Sequence, residues 1–221
     1  MKKVITLIAA AVLASVTSVF AQNIQTASDF FKNISDYYAT IKDYEAQIEI
    51  KAPSGVMRGK VSFKRPEMLR IDFTSPAEQV ILFNGDDLTI YLPNSAAILE
   101  QHVESSAANA SSAAGLTLLR RYYSIAYEIG QEPVPLDDES DEQVVKLILY
   151  HRSSSEAFNT IKIAILPGEK LIRRVEAITP KNETYIFNFS DYNLNTNISD
   201  QRFIYEAPSS ANNYNNFLFT E

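Results

Sequence analysis

The chain has 221 residues with 20 Lys and Arg against 27 Asp and Glu, no cysteine and no tryptophan, and a formal net charge of -7. A net acidic surface argues against nucleic acid and against electrostatic docking on anionic lipid headgroups, because both need basic patches. The lack of cysteine excludes disulfides and a lipid-modified cysteine, so the fold must hold by burial alone.

Met1-Lys2-Lys3 is a short basic start, residues 4–20 are almost wholly apolar or small, and Val19-Phe20-Ala21 suits the positions that a signal peptidase reads. Residues 1–21 are therefore expected to be a secretory signal, with Gln22 the mature N-terminus. As a membrane anchor the run would be near the lower limit of ~17–25 residues, with only a weak polar stop after it. Removing 21 of 221 residues leaves 200, residues 22–221, which is one ordinary domain and enough to bury a sizeable core. Without Lys2 and Lys3 the count is 18 basic against 27 acidic side chains, about -9.

From Ile24 to Ile41, apolar residues recur at three- and four-residue spacings (Ala27, Phe30, Phe31, Ile34, Tyr37, Tyr38), which predicts an amphipathic helix. After Tyr44 the period changes to two. Strands are expected at 44–52, 55–64, 68–74, 78–84 and 87–92, joined by turns at Pro53-Ser54-Gly55, Arg65-Pro66-Glu67, Ser75-Pro76-Ala77 and Asn84-Gly85-Asp86-Asp87. The Ser/Ala/Asn-rich stretch from Glu104 reads as a loop. It leads to Leu116, Leu119, Tyr122 and Tyr123 at helical spacing, a short helix that either crosses the sheet as a cover or fills ordinary core. A second strand set is expected at 143–150, 159–166, 170–178, 183–191 and 202–206, with Pro167-Gly168 a hairpin turn. About ten antiparallel strands with no linker must curl, giving an α+β fold: an incomplete, open barrel with a helical lid.

Catalytic chemistry has little to stand on. His102 and His151 stand apart, without metal-ligand spacing, and no dinucleotide, phosphate-loop or nucleophile-elbow pattern is present. The acidic run from Asp137 to Glu142 lacks the glycine and spaced ligands of a calcium loop. Neither metal nor cofactor nor enzymatic activity is expected. Asn33-Ile34-Ser35 and Asn182-Glu183-Thr184 match a glycosylation triplet, but the signal looks bacterial.

The stretch "FKRPEMLRIDFTSPAEQVILFNGDDLTIYLP", Phe63 to Pro93, carries an aromatic, Lys-Arg-Pro, an apolar-basic-apolar strand, an aromatic then a proline, a glutamine before a run ending in Asn-Gly, and an apolar-x-Ile-Tyr strand. In this order it resembles the periplasmic outer-membrane lipoprotein carriers of the LolA type. The rest of the chain agrees in layout, down to a late Tyr205-Glu206-Ala207-Pro208. The resemblance implies an unclosed barrel with a helical lid over an apolar cavity, and the acylated end of a lipoprotein, or another lipid, as cargo. It implies that Leu69, Ile71 and Phe73 line that cavity with Leu88, Ile90 and Leu92, while Arg70 and Asp72 face water. It further implies that Arg65, beside Pro66, hydrogen-bonds to the lid and latches it. An inner-membrane releasing complex and an outer-membrane acceptor are the implied partners, the periplasm the implied location, and a monomer the expected state. An envelope sensor or scaffold that binds a partner protein is the alternative.

Intact-mass measurement of the exported protein should find Gln22 at the N-terminus. A membrane-bound product that keeps Met1 would make the segment an anchor.

Overall fold

The computed structural model describes residues 24–102 and 113–217; the expected signal and most of the Ser/Ala-rich loop lie outside these. Helix α1 spans Ala27–Tyr38. Thr26 caps it by accepting from the Asp29 amide, and the Asp29 carboxylate accepts from the Thr26 hydroxyl. Ala27, Phe31, Ile34 and Tyr38 form its buried stripe. The apolar pattern runs on to Ile41, yet the helix ends at Tyr38, where Thr40 turns its hydroxyl onto the Tyr37 carbonyl.

The strands are β1 (Asp43–Ala52), β2 (Gly55–Lys64), β3 (Met68–Ser75), β4 (Ala77–Phe83), β5 (Asp87–Leu92), β6 (Ala97–His102), β7 (Tyr123–Tyr127), β8 (Val134–Pro135), β9 (Gln143–His151), β10 (Thr160–Leu166), β11 (Leu171–Ile178), β12 (Thr184–Leu194) and β13 (Asn212–Asn215). Helix α2, Ala113–Tyr122, precedes β7. The sheet runs β13-β6-β5-β4-β3-β2-β1-β12-β11-β10-β9-β7, with β8 also on β9. Pairing is antiparallel except for β13 on β6, and the path ends at β13 and β7 without closing. This is the expected open barrel, with thirteen strands among the described residues rather than about ten.

The extra strands had weak signals. The apolar Tyr122 and Tyr123 continue the helical spacing of α2, so β7 reads as helix. β13, "NNYN", is exposed along its length and is held by backbone pairing to β6, which leaves no side-chain pattern to read. The strand expected at 202–206 is instead a 3-10 helix, Asp200–Phe203, capped by Ser199, followed by extended chain.

The core has three parts. The main cluster lies on the concave face: Phe31, Ile34 and Tyr38 of α1 and Leu116 of α2 against Tyr44, Ile48, Val61, Phe73, Leu147, Leu149, Ile163 and Ile165. On the convex face, Val80, Leu82, Tyr91 and Ile98 pack under Phe203, with Ile198, Tyr205 and Ala211 beside them. A third small cluster joins Leu136 to Val144 and Ala164.

The convex cover corrects one expectation. Arg70 and Asp72 do not face open water: the Arg70 side chain is 15% exposed and pairs with Asp72 at 2.8 Å. Its Nη1 donates to the carbonyls of Arg202 and Ile204, and its guanidinium lies over the Tyr205 ring. Arg202 donates to Asp72 as well. Alternation placed Arg70 and Asp72 on the outer face correctly. It could not reveal that residues 198–211 return to cover that face.

Gly59 marks a tight point. The β2–β3 register shifts between Arg58 and Gly59, and a Cβ at Gly59 would lie 2.8 Å from the Phe73 Cα and closer still to the Asp72 carbonyl oxygen. Backbone atoms cannot swing aside as a side chain can, so Gly59→Ala should cost roughly 1–3 kcal/mol. A thermal melt should show a midpoint lower by about 2–4 °C per kcal/mol, while Gly168→Ala, with open space around its Cβ, should melt like wild type. An unchanged midpoint in Gly59→Ala would mean the strands do not close on each other there.

Candidate functional site

Cross-strand partners in a ladder share a face, so the register assigns the concave wall residue by residue. Phe63, Val61 and Gly59 of β2 stand opposite Leu69, Ile71 and Phe73 of β3. Leu69 and Ile71 stand opposite Phe83 and Ile81 of β4, and these opposite Leu88 and Ile90 of β5. Ile90 and Leu92 meet Leu99 and Ala97 of β6. All six residues singled out in the sequence thus belong to one face.

They differ in surroundings. Ile71 and Phe73 are buried within the main cluster, and Leu69 and Ile81 pack against it. Leu88, Ile90 and Leu92 are half-buried and belong to none of the packed clusters. The concave wall therefore runs from a helix-covered region under α1 to an apolar stretch over β5 that no described side chain packs into a core. Ile81, Phe83 and Leu99 extend this stretch and were missed. The unbroken apolar run from Val80 to Phe83 was the available signal, because strands covered on both faces lose their alternation.

Arg65 lies just beyond β2. Its Nη1 donates to the Ala39 carbonyl at 2.7 Å, at the C-terminal end of α1, and its amide donates to the Lys42 carbonyl at 2.9 Å. The last carbonyls of a helix have no intrahelical donor, and the end carries partial negative charge, so a guanidinium suits this place. The turn between α1 and β1 is held from its other side too. Asn195 accepts from the Lys42 amide at 2.8 Å, and the buried Asp43 carboxylate accepts from the Thr196 amide at 2.7 Å.

A cleft lies elsewhere, between β11 and β12. The β11–β12 ladder runs from Ile178 opposite Thr184 to Arg174 opposite Asn188 and then stops. Beyond it the strands part around a cleft of about 690 Å³, lined by Tyr37, Leu171, Phe189, Tyr192 and Leu194, with Lys170 and Arg173 among its charged residues. At the parting, two tyrosines stand in for the missing strand partner. The Ile172 amide donates to the Tyr38 hydroxyl at 2.9 Å, and the Tyr192 hydroxyl donates to the Ile172 carbonyl at 2.8 Å. Burial pushes the Tyr38 hydroxyl up to about 12 and that of Tyr192 well above its ordinary value, so both remain protonated at neutral pH. None of the six expected wall residues lines this cleft.

Among the described residues no group of three or more His, Cys, Asp or Glu is placed to hold a metal. His102 lies 3.0 Å from Asp87 across the β5–β6 pair, and His151 bonds the Ser153 carbonyl. No helix among the described residues is long and apolar enough to cross a membrane.

No curated protein matches the chain in sequence. Among solved structures, an uncharacterized conserved protein from Thermus thermophilus is similar at 13% identity and a TM-score of 0.56, covering 84% of this chain and 96% of that one. The MucA/MucB complex of Pseudomonas aeruginosa includes a similar chain at 11% identity and a TM-score of 0.51, covering 84% of this chain and 62% of that one. A LolA superfamily protein from Nitrosomonas europaea overlaps at 15% identity, 82% and 98% coverage and a TM-score of 0.42. At these identities the first two likenesses, with TM-scores above 0.5, are of fold alone. The family model of the outer membrane lipoprotein carrier protein LolA matches residues 51–206, which takes in β2 through β12 and the stretch around Arg65. With an open sheet wrapped over α1 and α2 and an apolar concave wall, the chain belongs to the LolA family.

Proposed function

We propose that this protein is a periplasmic carrier that shields the acyl chains of lipoproteins within its apolar half-barrel and moves them from the inner to the outer membrane. The observation that carries the reading is the concave stretch of Leu88, Ile90 and Leu92, half-buried and outside the packed clusters, in continuity with Leu69 and Ile81. An acyl chain buries ~0.8 kcal/mol per CH₂, so about eight methylenes laid on this wall supply ~6 kcal/mol. That is enough to hold cargo in water and little enough to yield it to a more apolar acceptor. No covalent step is needed.

A second reading has one observation in its favour. The similar chain from Pseudomonas aeruginosa was solved as a MucA/MucB complex, which supports a sensor or scaffold that binds a protein partner on the same half-barrel. The two readings separate on what leaves the envelope with the protein: acylated protein or lipid for a carrier, a stoichiometric polypeptide for a sensor.

Delipidated protein should bind an apolar fluorescent probe saturably, and an acylated peptide should displace it. Ile90→Asp, which puts a carboxylate on the concave wall, should reduce probe affinity by at least about tenfold. A folded sample with no saturable binding would sink the carrier reading.

Arg65 supplies a kinetic test. Its bond to Ala39 is at an exposed site, so Arg65→Leu should cost no more than about 1 kcal/mol of stability. The leucine adds an apolar group where the helix end meets the barrel. We therefore expect normal loading with an acylated peptide and slowed transfer to an acceptor, with Arg58→Leu, at the far end of β2, as the control. Arg70→Leu would be unsuitable, since Arg70 holds the convex cover. Equal transfer by wild type and Arg65→Leu would remove the latch role.

A further inference from the structure

Helix α2 places one cation on its inner side. At about 100° per residue, Arg120 follows Leu116 by four positions and falls between the directions of Leu116 and Ala113, while Arg121 points outward and is exposed. Leu116 is buried in the main cluster, and Ala113 and Leu119 pack against that cluster. Arg120 is half-buried, and its Nε is fully enclosed. Among the described residues this is the one buried side-chain nitrogen or oxygen with no hydrogen-bond partner. The ion pairs among the described residues do not include Arg120.

An enclosed donor on a charged group is costly when it has no acceptor, and its attraction for an anion is strengthened by apolar surroundings. A structural arginine would be expected to have found a carboxylate or carbonyl, as Arg70, Arg173, Arg174 and Arg202 do. The unpartnered Nε lies on the side of α2 that carries Leu116 and Ala113, toward the main cluster.

We propose that Arg120 binds the anionic head of the cargo, so that the half-barrel takes acyl lipids carrying a carboxylate or phosphate in preference to neutral ones. This rests on the carrier reading above and specifies its ligand. The acyl chain supplies apolar burial on the wall, and the guanidinium forms with an anionic head a hydrogen bond charged on both sides, stronger than the one it can make to a neutral ester carbonyl.

The test uses pairs of ligands that differ in the charge of the head. Displacement of an apolar fluorescent probe from the delipidated protein is measured with hexadecanoate and its methyl ester, with phosphatidic acid and diacylglycerol, and with inorganic phosphate alone. An anionic member should compete at concentrations roughly tenfold to a hundredfold lower than its neutral counterpart. A preference confined to one pair identifies a fatty acid or a phospholipid as the source of the anion. Arg120→Leu should bring each pair within about threefold while leaving the neutral ligands unchanged. Its melting midpoint should not fall, since the change replaces an enclosed, unpartnered Nε with apolar volume, and Arg120→Lys should keep part of the preference. Equal competition within both pairs in wild type, or a preference that survives in Arg120→Leu, overturns the proposal. Inorganic phosphate competing as well as phosphatidic acid overturns it too, since the site would then be one for free anions. Neutral ligands that bind well while the anionic ones show no advantage leave the carrier reading standing without Arg120; failure of every ligand to displace the probe removes both.

Discussion

β1 pairs along its whole length with β2 and, across a bulge between Glu45 and Gln47, with β12. The second pairing sets Tyr44 opposite Leu194, residues far apart in sequence, and it makes one sheet out of what would otherwise be two meanders. Such a contact must overcome the closure entropy of nearly the whole domain before it contributes. The buried Asp43 and the side chain of Asn195 reinforce it by tying the two strand ends together. Every other feature of the concave face depends on this seam, because it fixes the curvature over which the helices lie.

The seam also makes one sheet of thirteen strands, against which two helices lie among the described residues. The N-terminal end of α1 meets β7, where Tyr127 touches the Phe30 ring and donates to the Gln25 carbonyl, and its C-terminal end is bonded on two sides, to Arg65 beyond β2 and through Tyr38 to β11. α2 buries Gly115 and Leu116 and touches α1 through Ser35 and Thr117, 3.5 Å apart. The apolar stretch over β5 lies toward the other edge, which ends in β6 and β13. Among the described residues, the two helices, of about three turns each, leave the β5 stretch outside the packed clusters.

The convex face is managed differently. Strands β3 to β6 would expose Val80, Leu82, Tyr91 and Ile98 to water, and residues 198–211 cover them. The Arg70–Asp72–Arg202 group and Lys64, which bonds the Ile198 carbonyl and Asp200, fix the position of that cover. β13 then lies along β6 and occupies what would be a free edge. The acidic chain spends its few arginines on such joints, which is why an inward arginine without an acceptor stands out.

Local order was legible from the residues alone. The two periods of the pattern placed α1 and most strand bounds of the two meanders close to where they lie, and alternation put Leu69, Ile71 and Phe73 on one face and Arg70 and Asp72 on the other. The latch role of Arg65 came from the LolA-type resemblance rather than from local pattern; its guanidinium donates to the Ala39 carbonyl at the end of α1. The sequence by itself determined which elements form and which side of each is apolar, because propensity and period act over neighbouring residues. Only the tertiary structure decided what each apolar side meets. Whether Phe73 is packed and Leu88 is not, whether Arg70 faces water or Tyr205, and whether Arg120 finds an acceptor depend on segments far away along the chain, and contacts at that distance leave no local pattern.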